Sequence, residues 1–261
     1  MGRGFGISTA VALDAARELA QEAEQLGYTS FWVNNSPGSD GLATLQAAAE
    51  VTTTLHLGIG VIPLDSQPAS GIIANVIERG LPQERLWLGV GSGGDRKGLD
   101  RVREGVAELH AGLACAVIIS ALGPKMTALA GEVAEGVLFN WFTPEYEQRS
   151  SEIMLAASNA AGRAPSLRMA YVRCALLPQA DARLTTESGR YGGIPSYANH
   201  FARMGTSARD TAVSGPDAAT LQRGLAAHEA GLDETVARAI TADDTLASLQ
   251  ELLRACAPER V

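Results

Sequence analysis

Apolar positions along this chain follow two periods that take turns. Short runs such as Ser30-Phe-Trp-Val33, His56-Leu-Gly-Ile-Gly-Val-Ile62, Leu86-Trp-Leu-Gly-Val90 and Val117-Ile-Ile-Ser120 alternate with longer stretches whose apolar residues return every three or four positions. The first pattern suits strands buried on both faces, the second amphipathic helices. Leu13, Ala16, Leu19, Ala23 and Leu26 mark the first helix, and Gly27 ends it. The pattern predicts strands at 5–8, 30–33, 56–62, 86–90, 117–120, 137–140, 169–177 and, more weakly, 235–240, with a helix after each. Eight strand–helix alternations within the ~250 residues typical of that architecture argue for an α/β protein of the (β/α)8 TIM barrel class. No Gly-x-Gly-x-x-Gly follows the first strand, which disfavours a dinucleotide-binding open sheet.

Residues 178–233 interrupt the rhythm: they carry helical patterns and no clear strand. Because this excursion follows the seventh strand, it is expected on the C-terminal face, where barrels keep their active sites, as a lid or substrate-side element. With no linker or internal repeat, residues 1–261 read as a single barrel domain.

Composition narrows the partners. Lys+Arg is 21 against Asp+Glu 29, a formal charge of -8, and no basic stretch could track a phosphate backbone, so nucleic acid is excluded as an expected partner. Cys115, Cys174 and Cys256 are scattered without metal-ligand spacing, as expected for buried thiols in a reducing compartment. No basic-then-apolar leader opens the chain, and no apolar run nears the ~20 residues that span a bilayer. The expectation is a cytoplasmic protein with no membrane partner.

In a barrel, the C-terminal ends of the strands name the candidate site: Asn34 and Asn35, 60–63, 89–94, 120–125, 140–143 and Arg173. Among these, Ser120-Ala-Leu-Gly-Pro-Lys-Met126 reads as strand, tight turn and helix start. Pro124 suits the first helical turn, and the free amides there, with Lys125, form a natural site for a phosphate or carboxylate. The same turn also serves α/β proteins as a plain connection. Gly89-Val-Gly-Ser-Gly-Gly94 lets backbone approach a ligand closely, although glycine runs also end strands for conformational reasons alone. Arg173, Tyr171 and Met169 alternate and so share one face of their strand; a buried arginine needs a partner. Tyr191, Tyr197 and His200 in the excursion are placed to contact substrate, although such residues more often just pack a loop.

Other chemistries lack support. His56, His110, His200 and His228 are isolated, so no metal site is expected. Gly-x-Ser-x-Gly is absent, and Glu132 and Glu135 read as a solvated helix face. What remains is a glycine-rich, anion-binding mouth without an obvious acid–base residue, as befits a phosphorylated cofactor that carries the chemistry itself.

Several segments, in this order, resemble the luciferase-like flavin-dependent monooxygenases and their deazaflavin-dependent relatives. They are Glu24-Gln-Leu-Gly-Tyr-Thr-Ser-Phe-Trp-Val33, the Ala47 to Val61 segment with its Leu-Gly-Ile-Gly-Val ending, Arg85-Leu-Trp-Leu-Gly-Val-Gly-Ser-Gly93, and the segment from Ala121 through Gly123-Pro-Lys-Met126 to Asn140-Trp141. The resemblance implies a barrel that holds FMN or the deazaflavin coenzyme F420 at its C-terminal face, with the deazaflavin slightly favoured. It assigns the cofactor's phosphate to the turn of Gly123, Pro124 and Lys125, with Gly91, Ser92 and Gly93 as a second candidate, and counts Met126 among the cofactor-binding residues. The tricyclic ring would lie against Gly60, Val61 and Ile62, where relatives often carry a non-prolyl cis peptide, and Asn34, Asn140 and Trp141 would line the pocket. It also implies a homodimer.

Two departures stand out. Asn34-Asn35 occupies the place where many relatives have Asp-His, so the histidine often given an acid–base role is missing and no catalytic residue is assigned. The 95–116 connection has room for one helix only, where relatives often insert a longer segment.

The reading that follows is an oxidoreductase that transfers hydride to, or oxygenates, a small organic substrate. A barrel of the same family that binds a cofactor or ligand without turnover is the alternative. An unrelated barrel enzyme acting on a phosphorylated metabolite is a third reading.

Overall fold

Strand and helix alternate from one end of the chain to the other in the computed structural model, which describes residues 1–35, 38–94 and 98–259. In order come β1 (Gly2–Ser8), α1 (Leu13–Leu26), β2 (Ser30–Asn34), α2 (Gly41–Ala49), β3 (His56–Pro63), α3 (Ala69–Glu78), β4 (Leu86–Gly91) and α4 (Gly98–Gly112). Then follow β5 (Ala116–Ala121), α5 (Pro124–Val133), β6 (Gly136–Asn140), α6 (Pro144–Ala160) and β7 (Leu167–Leu176). The last stretch holds α7 (Asp181–Gly192), α8 (Pro195–Met204), β8 (Val213–Gly215), α9 (Ala218–Glu229), β9 (Glu234–Ala239) and α10 (Leu246–Ala255).

β1 to β7 pair in sequence, all parallel, and β9 closes the cylinder between β7 and β1. The expected eight-stranded (β/α)8 barrel is therefore the fold. The excursion does hold one strand that its sequence did not announce: β8 adds to the upper end of β7, pairing Cys174 to Leu176 with Val213 to Gly215. Three residues are too few to show a period. β1 starts at Gly2 rather than Phe5, because Gly2-Arg-Gly4 reads locally as a breaker yet pairs with β9 and β2.

Alternation divides each strand between two cores. Phe31, Val33, Leu57, Ile59, Val117, Ile119, Val137, Phe139, Ala170 and Val172 face outward into the layer shared with the helices. Burying each large side chain there contributes roughly 1.5–3 kcal/mol. Trp32, Ile118, Leu138, Met169, Tyr171 and Val236 face inward and form a separate cluster that plugs the middle of the barrel. From β3 and β4, the partly buried Val61 and Trp87 pack against that plug. A Cβ on Gly58 would overlap the Trp32 indole, so this glycine is what lets one tryptophan fill the barrel's width. Higher up, Gly60, Gly89 and Gly91 continue the bare face, and the space above the plug stays open.

Local signals set the helices. Gly27, at φ 87, ends α1 with its N–H returning to Ala23 and Glu24. Thr143 caps α6 through the Tyr146 N–H, with Pro144 in the first turn. The short 95–116 connection contains the single helix α4; Asp95, where that connection starts, lies outside the described residues. The three cysteines are buried and unbridged. Among the described residues no cluster of His, Cys, Asp or Glu could hold a metal ion, and no helix is long and apolar enough to cross a membrane.

Candidate active site

A cavity of about 440 Å³ opens at the C-terminal end of the barrel, above the Trp32 plug. One wall is backbone and small groups: Gly60, Val61, Gly91, Ser92, Gly93 and Gly123. The opposite wall is polar and aromatic: Asn34, Asn140, Tyr171, Arg173, Tyr191 and Tyr197.

The glycine wall has a distinct local geometry. Pairing between β3 and β4 slips between Ile59 and Ile62, a bulge, and the Gly60–Val61 peptide inside it is cis. A Cβ on Gly60 would come within 2.6 Å of Tyr171 Oη and 2.8 Å of Leu138 Cδ2, so only glycine fits over the plug. Ile62, beyond the bulge, points away from the cavity into the outer core. At the next loop, Gly93 has φ 68 and Gly94 N–H donates to the Asp65 carboxylate at 2.8 Å.

The β5–α5 turn closes this wall. Gly123 is the N-cap of α5 and carries no capping side chain, and Pro124 supplies no N–H. Gly123 and Met126 line the cavity, whereas Pro124 and Lys125 are exposed on the first turn of α5 and do not. Arg203 of α8 reaches over this turn to donate to the Leu122 carbonyl at 2.9 Å.

The polar wall is a layer of inward side chains one step above the apolar plug. Arg238 follows Val236 on β9, Arg173 follows Tyr171 on β7, Asn34 follows Trp32 on β2 and Asn140 follows Leu138 on β6. Arg238 Nε donates to Asn34 Oδ1 at 2.8 Å, and its Nη1 donates to the Ala239 carbonyl. Arg173 donates through Nη1 to Asn140 Oδ1 and through Nε to Glu187 Oε1 at 3.3 Å. Asn140 passes the network on by donating from Nδ2 to Tyr197 Oη at 2.8 Å.

Electrostatics follow from this packing. Burial opposes the charge on Glu187, yet Arg238 and Arg173 hold its carboxyl below the usual glutamate range, so it is ionised. Burial, with Arg173 nearby, lowers the affinity of Arg238 for its proton, and Glu187 opposes that shift. Tyr197 is pushed up to about 12, chiefly by burial, and Tyr171 rises for the same reason. Both phenols stay neutral and able to donate.

Trp141 lies behind this wall and does not line the cavity. At the end of β6 it takes φ 61, an unusual region for a bulky residue. That turn swings its ring beneath Arg173, whose Cζ stands 4.0 Å from the ring centroid, and against Tyr191 and Phe201. His200 Nε2 lies 2.9 Å from the Trp141 carbonyl, which fixes the proton on Nε2, and burial lowers the ring's pKa to about 4. His200 is thus a neutral packing residue. His56 stacks on Trp87 at the other end of the barrel, His110 pairs with Glu135, and His228 pairs with buried Glu147. Glu132 and Glu135 serve different partners: Arg103 for the first, and His110, Arg163 and the Val117 amide for the second.

The fold thus brings Asn34, Gly60, Val61, Gly91, Ser92, Gly93, Gly123, Met126 and Asn140 to one cavity, and leaves Ile62, Pro124, Lys125 and Trp141 off its lining. Arg238 and Glu187 are the charged members that the sequence did not single out. Two-residue spacing from Val236 on a strand carried the signal for Arg238, and Glu187 precedes Tyr191 by one helical turn. Tyr191 and Tyr197, open to either role in the excursion, face the cavity while also packing it.

Residues 2–114 match the family model described as Luciferase-like monooxygenase. No curated protein matches the chain in sequence. Among solved structures, the fold is similar to an F420-dependent secondary alcohol dehydrogenase in complex with an F420-acetone adduct, with 15% identity, 98% of each chain covered and a TM-score of 0.75. It is also similar to the coenzyme F420 dependent tetrahydromethanopterin reductase from Methanopyrus kandleri, with 16% identity, 97% and 98% coverage and a TM-score of 0.73. A third likeness is to the oxygenating constituent of 3,6-diketocamphane monooxygenase from Pseudomonas putida in complex with FMN, with 15% identity, 99% and 97% coverage and a TM-score of 0.75. The sequence match is confined to residues 2–114, and the likeness to these solved structures is one of fold, the (β/α)8 barrel, over nearly the whole chain.

Proposed function

We propose that this protein is a flavin- or deazaflavin-dependent oxidoreductase acting on a small organic substrate, with coenzyme F420 favoured over FMN. The observation that carries the reading is the pairing of a bare, bulged glycine wall at Gly60–Val61 with a polar, donor-rich wall across one cavity. A flat ring needs backbone without side chains on one face, and a substrate on its other face needs groups that orient it. The cofactor-bearing fold neighbours and the Gly123-Pro-Lys-Met126 turn support the same assignment.

The residues present fit such a group. A Cβ at Gly60 would strike Tyr171 and Leu138, so the cradle is built without side chains. For the phosphate, the uncapped start of α5 at Gly123 is the better of the two loops, because Asp65 already places a carboxylate against Gly94. A bound reduced deazaflavin supplies hydride, and a bound reduced flavin also supplies oxygen activation. The chain's own part is to exclude water with the Trp32 plug below and with α7 and α8 above. Asn34, Asn140 and Tyr197 offer neutral hydrogen bonds, and with no histidine at positions 34 and 35, Tyr197 is the neutral proton donor nearest the network.

Absorption titration of the purified protein with FMN and, separately, with F420 tests this. Saturable spectral perturbation by F420, weaker with FMN and abolished by Gly60→Val, is the expected result. Binding of neither cofactor at millimolar concentration would remove the reading.

A further inference from the structure

The polar layer holds more positive charge than it neutralises. Arg173 and Arg238 are 4% and 5% exposed; among the described residues Glu187 pairs with Arg173 and is the one carboxylate that acts on Arg238. Arginine does not give up its proton in a protein, so the layer carries a net charge of about +1 beneath an open cavity. Burying an uncompensated guanidinium is costly unless a partner arrives.

The unused valence points to the cavity. Arg173 spends Nε on Glu187 and Nη1 on Asn140, and its Nη2 donates to no described group. Arg173 is also the one charged side chain among the described residues that line the cavity. Its Cζ stands 4.0 Å from the Trp141 ring centroid, a contact that helps hold the guanidinium in place. Beside it, Tyr197 accepts from Asn140, which leaves the phenolic O–H free to donate. Joined through Asn140 and both lining the cavity, a free guanidinium N–H and a phenolic O–H offer one donor to each of the two oxygens of a carboxylate.

We infer that the substrate is a small organic carboxylate, bound through its carboxylate to Arg173 and Tyr197 on the wall opposite the glycines. This rests on the oxidoreductase reading for the word substrate; the anion site itself rests only on the charge and geometry above. Glu187 acts as an internal competitor that keeps the two guanidiniums in place when the cavity holds no anion.

Calorimetric titration with benzoate and with its neutral isostere benzamide tests the inference, on the protein alone and on the protein saturated with F420 or FMN. Benzoate should bind about tenfold or more tightly than benzamide, Arg173→Met should erase that preference, and Glu187→Gln should strengthen benzoate binding several-fold. Equal binding of the two probes, or a preference that survives Arg173→Met, overturns it. If Arg173→Met does not fold, Glu187→Gln decides, and no gain in benzoate affinity overturns the inference. Benzoate that competes with the cofactor, together with weaker cofactor binding by Arg173→Met, would hand Arg173 to the cofactor and overturn the substrate assignment while the oxidoreductase reading stands. Benzoate selectivity without any cofactor binding would keep the anion site and remove the oxidoreductase.

Discussion

The two ends of this barrel are built from the same alternation and end in opposite states. At the N-terminal end, inward Glu234 accepts from the hydroxyls of Ser30 and Thr29, and Trp32 donates to Ser30 Oγ at 2.8 Å. Arg3, on the outer side of β1, is met by Glu229 and by the carbonyls of Cys256 and Ala257. At the C-terminal end, inward Arg173 pairs with Glu187 and borders an open space, and Arg238 behind it has the same carboxylate as its nearby negative charge. The lower end spends its polar groups on itself, and the upper end keeps donors in reserve. Stability and ligand binding are thereby separated along one axis, with the apolar plug of Trp32, Leu138, Met169 and Tyr171 between them.

The largest expected effect comes from the backbone of the upper end. A Cβ on Gly89 would overlap the Ile59 carbonyl, a group that cannot rotate away. Gly89→Ala should therefore cost about 3 kcal/mol or more by displacing the bulge. Chemical denaturation measures this, and a loss under about 1 kcal/mol would mean that the glycine wall is less constrained than its contacts imply.

The next effect belongs to the lower end and appears as a pH slope. Burial raises the Glu234 carboxyl to about 7 from an ordinary value of 4.5. The folded protein then binds this proton more tightly than the unfolded chain does. That contribution is full below pH 4.5 and is lost as pH rises through about 7, on the order of 2–3 kcal/mol in all. Glu234→Gln should flatten the decline, as read from melting temperature between pH 4.5 and 8. An unchanged slope would locate the effect elsewhere.

His200, behind the upper wall, should give a slope of the opposite sign. Its pKa falls from 6.5 to about 4, mainly through burial, so the unfolded chain binds the proton more tightly. The stabilisation is full above pH 6.5 and is lost as pH falls toward 4, about 2 kcal/mol. His200→Gln should remove this acid limb and leave the Glu234 slope intact; loss of both together would show that the two ends are not independent. The smallest effect is a control on the exposed face of α6: Arg149 and Glu145 are 68% and 74% exposed at one-turn spacing. Arg149→Ala should change stability by less than about 0.5 kcal/mol.

Much of this was legible in the chain. Runs such as Val117 to Ser120 and the glycine-spaced Gly58-Ile-Gly60 and Gly89-Val-Gly91 declared strands, and their C-terminal ends named most of the cavity, because a strand fixes its side-chain directions locally. β8 was illegible, since three residues have no period and it exists only because β7 offers it an edge. Ile62 was misplaced because the bulge at Gly60–Val61 resets the alternation beyond it. Trp141 was misplaced because a left-handed turn swings its ring behind Arg173.

The sequence by itself determined the barrel, its order of elements, and the glycine-rich end where a ligand would sit, because these depend on hydrophobic period and on turn residues close in the chain. Only the tertiary structure decided that Arg173 of β7, Arg238 of β9 and Glu187 of α7 form one buried, positively charged layer. Charge balance is a sum over neighbours in space, and Asn34 with Arg238, or Asn140 with Tyr197, become neighbours only when the cylinder closes and the excursion folds over it.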